Sequence, residues 1–262
     1  GDFTCNLPIR TLVHTDGEYH LGIGAGIVWD SAPDAEYEET LLKSHFALRV
    51  LSELSLWETL LLNTDGRYVL LDEHLARMGA SASYFGIRFS AAGARESLER
   101  FAREADGACV VRMELSQDGE ITRAPREVPA PPERPVRVLV SSEQVSADNR
   151  LLYHKTSLRE LYTRAREAAT DQGYFEVIFT NTDGHVTEGT ITNLFVRSGE
   201  QWMTPPIADG LLPGTWRGQY MLESGAVEQS LRVENLLQAA EVVIGNSVRG
   251  AVRVDEIDVA GT

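Results

Sequence analysis

The sequence has 262 residues, 43% of them hydrophobic and 24% charged, so it can bury one large core or two moderate ones and is not expected to be disordered. It contains neither a run of about 18 apolar residues nor a basic-then-apolar leader, which argues against a membrane span and against secretion. The net charge of −15 argues against a nucleic-acid partner, because such proteins carry a basic face that neutralises phosphates.

The two cysteines, Cys5 and Cys109, lack the spacing of a zinc or redox motif, and we expect both to be reduced thiols in a cytoplasmic protein. The chain begins at Gly1 without Met, and we therefore expect it to be processed or cut from a longer protein.

The first 45 residues differ in kind from the rest. Residues 9–13 and 22–28 predict two strands with a glycine-rich segment, and Asp34 opens an acidic helix with Glu36 and Glu39 on one face. Two carboxylates one turn apart could bind Mg²⁺. A hairpin followed by a solvated helix start gives the same pattern, and spacing alone favours that simpler interpretation.

Residues 46–145 predict a small α/β domain. Its expected elements are a hairpin of residues 54–62 and 67–71, a helix over residues 71–85 and a strand over residues 108–115. Five prolines follow between Pro125 and Pro135. Because proline neither continues a helix nor donates to a sheet, this run predicts the connection to a second domain.

Residues 146–262 predict a larger α/β domain, preceded by a strand over residues 136–140. Its first expected elements are a helix over residues 158–168 that stops near Gly173, a strand over residues 175–179 and a return strand over residues 186–196. The sequence thus predicts two mixed α/β domains joined near residues 125–145.

Three segments of the second domain carry side chains and a turn that could together form one cofactor site. Lys155 precedes a helix, Glu188 lies in an acidic and hydroxyl-rich interruption between apolar residues, and Gly214 makes a turn into a helix start that offers free N–H groups to a phosphate. Alone, each would be an ordinary surface or turn residue. Together they supply an imine-forming amine, a carboxylate and a phosphate cradle, the groups that pyridoxal phosphate requires from a protein.

This pattern resembles the fold-type IV pyridoxal-phosphate enzymes over residues 54–255. The resemblance implies that Lys155 is the Schiff-base lysine, that Glu188 pairs with the pyridine nitrogen and that Arg77 contacts the cofactor phosphate. It places further cofactor contacts at Thr192, Asn193, Gly214, Thr215, Trp216, Asn246 and Ser247. Many relatives have threonine where this chain has Trp216, so a hydroxyl contact is expected to be replaced by a backbone N–H.

The strings YHKTSLRELY and NSVRGAVRV look more like aminodeoxychorismate lyases, particularly those fused behind a synthase, than like aminotransferases. The leading string IRTL…GIGAGIVWDSAPDAEYEETLLK resembles the C-terminal end of aminodeoxychorismate synthase component I. In that family the matching Arg10 and glycines approach substrate carboxylates, and the acidic pair contributes to a Mg²⁺ site. Because only the tail is present, residues 1–45 are expected to be an inactive remnant without a functional metal.

The expected activity is conversion of 4-amino-4-deoxychorismate to 4-aminobenzoate and pyruvate in folate biosynthesis, with Lys155 as the general base. Thr59, Tyr153 and Arg249 are candidate substrate contacts. One alternative is a D- or branched-chain amino-acid aminotransferase. The other is a non-catalytic module, and the presence of Lys155 and Glu188 argues against that second alternative. The resemblance also implies a homodimer.

Overall fold

The computed structural model describes residues 12–15, 18–21, 32–38 and 54–261. The chain divides into two compact units, residues 1–54 and 55–262. In the first, β1 (Leu12–Thr15) and β2 (Glu18–Leu21) form an antiparallel hairpin, and residues 33–38 are helical (α1). The predicted strand over residues 22–28, Arg10 and Glu39 lie outside the described residues. Glu36 lies in α1, and no cluster of metal-ligating side chains occurs among the residues described.

The second unit alternates strands and helices, and none of the described helices is long and apolar enough to span a membrane. Its strands are β3 (Leu56–Leu62), β4 (Cys109–Leu115), β5 (Ile121–Arg126), β6 (Arg137–Val145), β7 (Glu176–Asn181), β8 (Val186–Gly189), β9 (Asn193–Ser198), β10 (Gln201–Thr204), β11 (Val227–Glu228), β12 (Glu241–Asn246), β13 (Gly250–Arg253) and β14 (Glu256–Val259). Its helices are α2 (Leu71–Phe85), α3 (Ala91–Glu104), α4 (Glu160–Thr170), α5 (Thr215–Ser224) and α6 (Val233–Leu237).

An antiparallel sheet in the order β3-β4-β5 forms the N-terminal part of this unit. Alternate residues of β3 are buried, and α2 packs on that strand through an apolar stripe that includes Leu75 and Met78. The predicted hairpin is only partly formed, because its second arm is reduced to a bridge between Leu62 and Tyr68 before α2 begins.

Pro125 corrects the expectation that the whole proline run is a connection. It lies within β5 and pairs with Val111. Proline is tolerated there because β5 is an edge strand, whose outer N–H groups need no partner in the sheet.

Two further sheets, in the orders β14-β6-β7-β8 and β11-β10-β9-β12-β13, share one apolar cluster. Val138, Ile178, Leu194 and Ile244 are fully buried in it. Strands and helices alternate along this unit, so its architecture is mixed α/β, as the sequence predicts. Within one sheet, β6 and β7 are parallel whereas β7 and β8 are antiparallel. The finer boundaries at residues 45 and 145 stay predictions.

The predicted return strand over residues 186–196 is divided. The chain leaves the ladder at Thr190–Thr192, so that β8 pairs with β7 whereas β9 joins the other sheet. The helix predicted over residues 158–168 is α4. It ends at Thr170, and Gly173 takes a positive φ of 80° in the turn that follows.

Candidate active site

A cavity of about 500 Å³ collects most of the predicted site residues. Its walls come from β3 and β4, the segment before α4, the loop between β8 and β9, the start of α5 and the turn between β12 and β13. The predicted residues that line it are Thr59, Arg77, Lys155, Glu188, Thr192, Asn193, Gly214, Thr215, Trp216, Asn246, Ser247 and Arg249. Segments up to about 190 residues apart in the chain therefore meet at one place.

Pairing with the start of β3 fixes the position of Lys155. Its carbonyl oxygen accepts a hydrogen bond of 2.8 Å from the Trp57 N–H, and the Ser157 N–H donates to the Ser55 carbonyl at 2.9 Å. Thr156 between them forms an antiparallel bridge with Leu56. The backbone that carries the lysine is thus held as a short strand, with the side chain at the cavity wall.

The amine of Lys155 has unusual surroundings for a lysine. Burial, followed by the positive charges of Arg159 and Arg77, lowers its pKa from 10.5 to about 7, because these disfavour the ammonium form. Only two of the chain's 24 basic residues are lysines, Lys43 and Lys155. A substantial neutral fraction at neutral pH is what a lysine needs to react as a nucleophile or a base.

This pKa leads to a test on the cofactor-free protein. Acylation of Lys155 by acetic anhydride is expected to rise with pH around a midpoint of about 7, because the reactive neutral amine appears above the lowered pKa. Competitive labelling against a peptide of residues 150–160, read by mass spectrometry, measures the midpoint. A midpoint near 10, equal to that of the peptide, would contradict the described surroundings.

Glu188 contributes a buried carboxylate from β8. The residue is 4% exposed, and burial raises its pKa to about 7. The Tyr162 hydroxyl and the Asn193 side-chain amide each donate to it at 3.3 Å, and the same amide donates to the Leu212 carbonyl at 3.0 Å. A cationic N–H placed in the cavity beside Glu188 would favour its ionised form.

Arg77 is held by a buried acid that the sequence analysis did not identify. Its Nε and Nη2 donate to the two carboxylate oxygens of Glu58 at 2.8 and 2.6 Å, and Nη1 donates to the Pro213 carbonyl at 3.2 Å. His74 Nδ1 lies 2.6 Å from Glu58, and it is the donor because the carboxylate can only accept. Both Glu58 and His74 are 1% exposed.

The start of α5 lies directly beside this arginine. Gly214 precedes the helix, and the Thr215 hydroxyl is 3.4 Å from His74 Nε2. A Cβ at position 214 would overlap the Asn193 side-chain oxygen, so any other residue here would require the Asn193 side chain to move away from Glu188 and Leu212. An arginine and free helix N–H groups together form an anion site. The Trp216 ring packs against Phe195 and Tyr220.

A second buried acid shapes the loop between β8 and β9. Glu176 accepts the backbone N–H groups of Thr190 and Ile191 at 2.9 and 3.1 Å, and the hydroxyls of Thr190 and Thr192. Arg166 lies 3.4 Å away. Glu176 thus provides hydrogen-bond acceptors for N–H and hydroxyl groups of the loop that are not paired with a neighbouring strand. For this reason the strand predicted over residues 186–196 is interrupted at the loop.

The turn after β12 closes the cavity on another side. Asn246 donates from its amide to the Ile191 carbonyl at 3.1 Å and accepts the N–H groups of Val248 and Arg249 at 3.0 Å. The Ser247 hydroxyl is 3.4 Å from the Thr59 carbonyl. Asn246 thus supports the loop that Glu176 holds.

Tyr153 is not brought to the cavity. It lies in the short 3₁₀ turn Arg150–Tyr153, and its hydroxyl donates to the Ala147 carbonyl at 2.7 Å. Tyr153 does not line the cavity, and its hydroxyl holds its own loop; the substrate contact expected of it stays a prediction.

Glu58 could have been identified from the sequence. It lies on the same face of its strand as the apolar residues Leu56, Leu60 and Leu62, where a buried side chain is expected. An acid at such a position needs a partner. Glu176 had no comparable signal, because all residues of β7 are buried and this follows from tertiary packing.

Comparisons with known proteins identify the families that the two parts of the chain resemble. Residues 55–257 match the family model described as amino-transferase class IV, and residues 1–49 match that of the chorismate binding enzymes. A Schizosaccharomyces pombe protein provisionally named as an aminodeoxychorismate lyase is 32% identical over 206 residues, covering 76% of this chain and 88% of that protein.

The N-terminal segment has different relatives. It is 54% identical over 50 residues to an anthranilate synthase component 1 of Haloarcula marismortui, and this match covers 19% of the chain but only 10% of that relative. The segment therefore corresponds to a small part of that relative, and both resemblances noted in the sequence are confirmed.

Solved structures share the fold. A provisionally named 4-amino-4-deoxychorismate lyase of Legionella pneumophila has a TM-score of 0.73 and 26% identity, covering 80% of this chain and 85% of that one. A provisionally named amino-acid aminotransferase of Mesorhizobium loti has a TM-score of 0.72 and 30% identity, covering 78% of this chain and 100% of that one. Over residues 55–257, the chain belongs to the class IV aminotransferase family, and its fold is that of fold type IV.

Proposed function

We propose that this protein is a lyase that uses pyridoxal 5′-phosphate to convert 4-amino-4-deoxychorismate to 4-aminobenzoate and pyruvate, a reaction of folate biosynthesis. The observation that carries the proposal is the convergence of Lys155, Glu188 and Arg77 with the start of α5 in one cavity. It is supported by relatives named as aminodeoxychorismate lyases in Schizosaccharomyces pombe and Legionella pneumophila.

The donor set of the cavity fits the cofactor. Lys155 would hold it covalently, Glu188 would pair with its ring nitrogen, and Arg77 with the N–H groups of Thr215 and Trp216 would bind its phosphate. Thr192, Asn193, Asn246 and Ser247 would complete the contacts. When bound, the cofactor supplies an aldehyde for the substrate amine and a ring that accepts electron density from the carbon that loses a proton.

Lys155 would move the protons of the reaction. With a pKa of about 7, its amine is neutral often enough at neutral pH to remove the proton from C4 of the substrate ring. The bond between C3 and the ether oxygen then breaks, the ring becomes aromatic, and the three-carbon group leaves as an enol. Protonation of that enol by Lys155, or by the Thr59 hydroxyl at the cavity wall, gives pyruvate.

Glu188 would keep a proton on the ring nitrogen. Its burial raises its own pKa to about 7, so a positive partner beside it would favour the ionised carboxylate. A protonated ring nitrogen is such a partner. The pair would hold the positive charge that stabilises the electrons left behind at C4.

An aminotransferase acting on D- or branched-chain amino acids is the second candidate. It is favoured by the similarity to the Mesorhizobium loti protein, all of which is covered by this chain. It differs from the lyase by requiring a 2-oxo acid acceptor and by leaving the substrate's amino group on the cofactor.

The proposal extends to organisation. We infer a homodimer in the cytoplasm, with residues 1–45 as a C-terminal remnant of a synthase domain, residues 46–145 as a small domain and residues 146–262 as the larger cofactor-binding domain. The match of residues 1–49 to the chorismate binding enzymes supports the first of these three domain assignments.

The test is product analysis of the cofactor-loaded protein. We expect 4-amino-4-deoxychorismate to yield 4-aminobenzoate and pyruvate in equal amounts, without an added 2-oxo acid. Chromatography and a lactate dehydrogenase assay measure the two products. No 4-aminobenzoate, together with conversion of the cofactor to its amine form by D- or L-amino acids, would replace the lyase by the aminotransferase.

A further inference from the structure

The hydroxyl of Tyr162 contacts a buried acid of the cavity, and the sequence analysis did not identify this contact. Tyr162 lies in α4, is 6% exposed and donates to Glu188 Oε1 at 3.3 Å. The Asn193 amide donates to the other carboxylate oxygen, Oε2, at 3.3 Å. Each oxygen of Glu188 thus has one side-chain donor, and both donors belong to residues that line the cavity.

Glu176 and Glu188 differ in how many donors the protein gives them. Glu176 accepts two backbone N–H groups and two hydroxyls of the loop between β8 and β9. An ionised carboxylate has about four acceptor sites, so this loop occupies Glu176 completely. Glu188 has fewer donors and lines the cavity. It is therefore the acid that can still accept an N–H from a bound ligand.

Contacts on its ring hold the Tyr162 phenol in place. The guanidinium carbon of Arg159 lies over the ring, 5.0 Å from its centroid, and Arg159 is itself held by the Thr190 carbonyl. The fully buried ring of Phe179 lies 4.8 Å away, measured between the ring centroids. Because these contacts involve the ring and not the hydroxyl, replacing Tyr162 with Phe removes the donor and leaves the packing.

The surroundings keep the phenol a donor and give it an effect on Glu188. Burial, and next the charge of Glu188, raises the pKa of Tyr162, so its hydroxyl keeps its proton at neutral pH. Burial raises the pKa of Glu188 to about 7, and four groups act in the opposite direction. They are the charge of Arg159, a backbone hydrogen bond from Leu212, the charge of Lys155 and the hydroxyl of Tyr162. Among these groups, the hydroxyl is the one that a single substitution removes without changing a charge.

A hydrogen bond to a carboxylate makes that carboxylate a weaker base, because the bond stabilises its charged form. When Glu188 shares a proton with a ring nitrogen, the stronger base of the two holds it. The Tyr162 hydroxyl weakens Glu188 as a base and so favours the proton on the nitrogen. A protonated ring nitrogen draws electron density more strongly than a neutral one, which favours proton removal at C4 of the substrate.

We propose that Tyr162 is a positioning residue that acts through Glu188 to keep the shared proton on the ring nitrogen of the bound cofactor. Its contact with Glu188 rests on the geometry of α4 and β8, whereas its effect on the ring nitrogen rests on the proposed function. Tyr162 itself needs no contact with the substrate, since its effect passes through one carboxylate oxygen.

The first measurement uses the full chain without cofactor and follows Glu188 directly. With glutamate labelled by ¹³C at its carboxyl carbon, NMR measures the midpoint of the acid that titrates near pH 7, and Glu188→Gln identifies its signal. We expect Tyr162→Phe to raise this midpoint by about 0.5–1 pH unit, because a hydrogen bond to the charged form is lost. Replacing Tyr162 with 3-fluorotyrosine keeps the hydroxyl as a stronger donor and should lower the midpoint.

The second measurement uses the loaded protein and a cofactor labelled with ¹⁵N at its ring nitrogen. The chemical shift of that nitrogen reports whether it is protonated. In Tyr162→Phe we expect the signal to move toward that of a neutral pyridine. For 4-aminobenzoate formation, kcat should fall about 3- to 10-fold while KM changes by less than about twofold.

Tyr174→Phe is the matched control. The Tyr174 hydroxyl donates to the Asp258 carboxylate at 2.9 Å, and the guanidinium carbon of Arg137 lies 4.5 Å from the centroid of its ring. The substitution thus removes the same kind of hydroxyl, again beside an arginine, at a place outside the cavity. Neither the Glu188 midpoint nor the ¹⁵N signal should change in this variant.

The outcomes separate the role of Tyr162 from the lyase. A Glu188 midpoint equal to that of wild type in Tyr162→Phe, or one raised by 3-fluorotyrosine as well, overturns the role of the hydroxyl. A raised midpoint with an unchanged ¹⁵N signal overturns its effect on the ring nitrogen. Shifts of both signals in a protein that forms no 4-aminobenzoate support the role of Tyr162 and overturn the lyase. A chain that gains no visible absorbance with added cofactor overturns both proposals.

Discussion

Replacing Lys155 with alanine is expected to lower the rate of 4-aminobenzoate formation by about 10³-fold or more, because the variant loses both the covalent attachment of the cofactor and the base at C4. Formation of 4-aminobenzoate under saturating substrate measures the loss. Added methylamine should restore part of the rate, since a small amine can enter the space of the missing side chain. Activity within tenfold of wild type would contradict the role of Lys155.

Lys43, the chain's other lysine, provides the matched control. Lys43→Ala is expected to keep its activity and its visible absorbance. After borohydride reduction of the loaded wild type, mass spectrometry should find the cofactor on the peptide that contains Lys155 and not on that containing Lys43. Because the chain has only these two lysines, a label on Lys43 would reverse the assignment unambiguously.

The second large effect is expected at Glu58, and it concerns stability. Glu58→Ala leaves Arg77 and His74 buried without their shared acceptor, with side chains that are 11% and 1% exposed. Breaking a buried ion pair from one side costs about 3–5 kcal/mol in the free energy of unfolding. Urea unfolding followed by tryptophan fluorescence measures it. A loss below about 1 kcal/mol would show that the cluster is not a tight buried unit.

Glu58 also gives stability a defined pH dependence. Burial alone would raise the pKa of Glu58, but the charge and hydrogen bonds of Arg77, with those of His74, lower it from 4.5 to about 2. The native state therefore binds fewer protons than the unfolded state between these pH values. The stabilisation, about 3 kcal/mol for such a shift, is complete above pH 4.5 and is lost as the pH falls toward 2.

Glu58→Gln should flatten the stability curve in that acid range, since an amide does not titrate. Glu73→Gln is the control, because Glu73 lies on the exposed face of α2, and it should stay within about 0.5 kcal/mol of wild type. A Glu58→Gln curve as steep as that of wild type would assign the acid sensitivity to other carboxylates.

Much of the fold follows from local patterns. The predicted helix over residues 71–85 is observed with the same bounds, because its apolar residues recur at helical spacing and Gly86 ends it in a left-handed conformation. The turn at Gly214 likewise begins α5 as predicted. Such features depend on a few neighbouring residues, which the sequence shows directly.

Features that depend on distant partners were harder to predict. The break at Thr190–Thr192 is stabilised by Glu176, a residue whose burial depends on β6 and β8 on either side of its strand. Pro125 is compatible with a strand only because that strand is at an edge. Glu58 can be recognised as a buried acid on its strand, but its pairing with Arg77 was not predictable, because Arg77 lies beyond a turn and the start of a helix.

The attachment of the Lys155 segment to β3 has a consequence for how the site forms. The hydrogen bond between Ser55 and Ser157 closes a loop of 102 residues, so the lysine has no defined position until the ends of that long segment meet. Contacts of such sequence separation are slow to form. The reactive amine therefore acquires its place through the joining of two distant parts of the chain, and a nascent polypeptide that ends before residue 157 lacks that support, whatever else it has already folded.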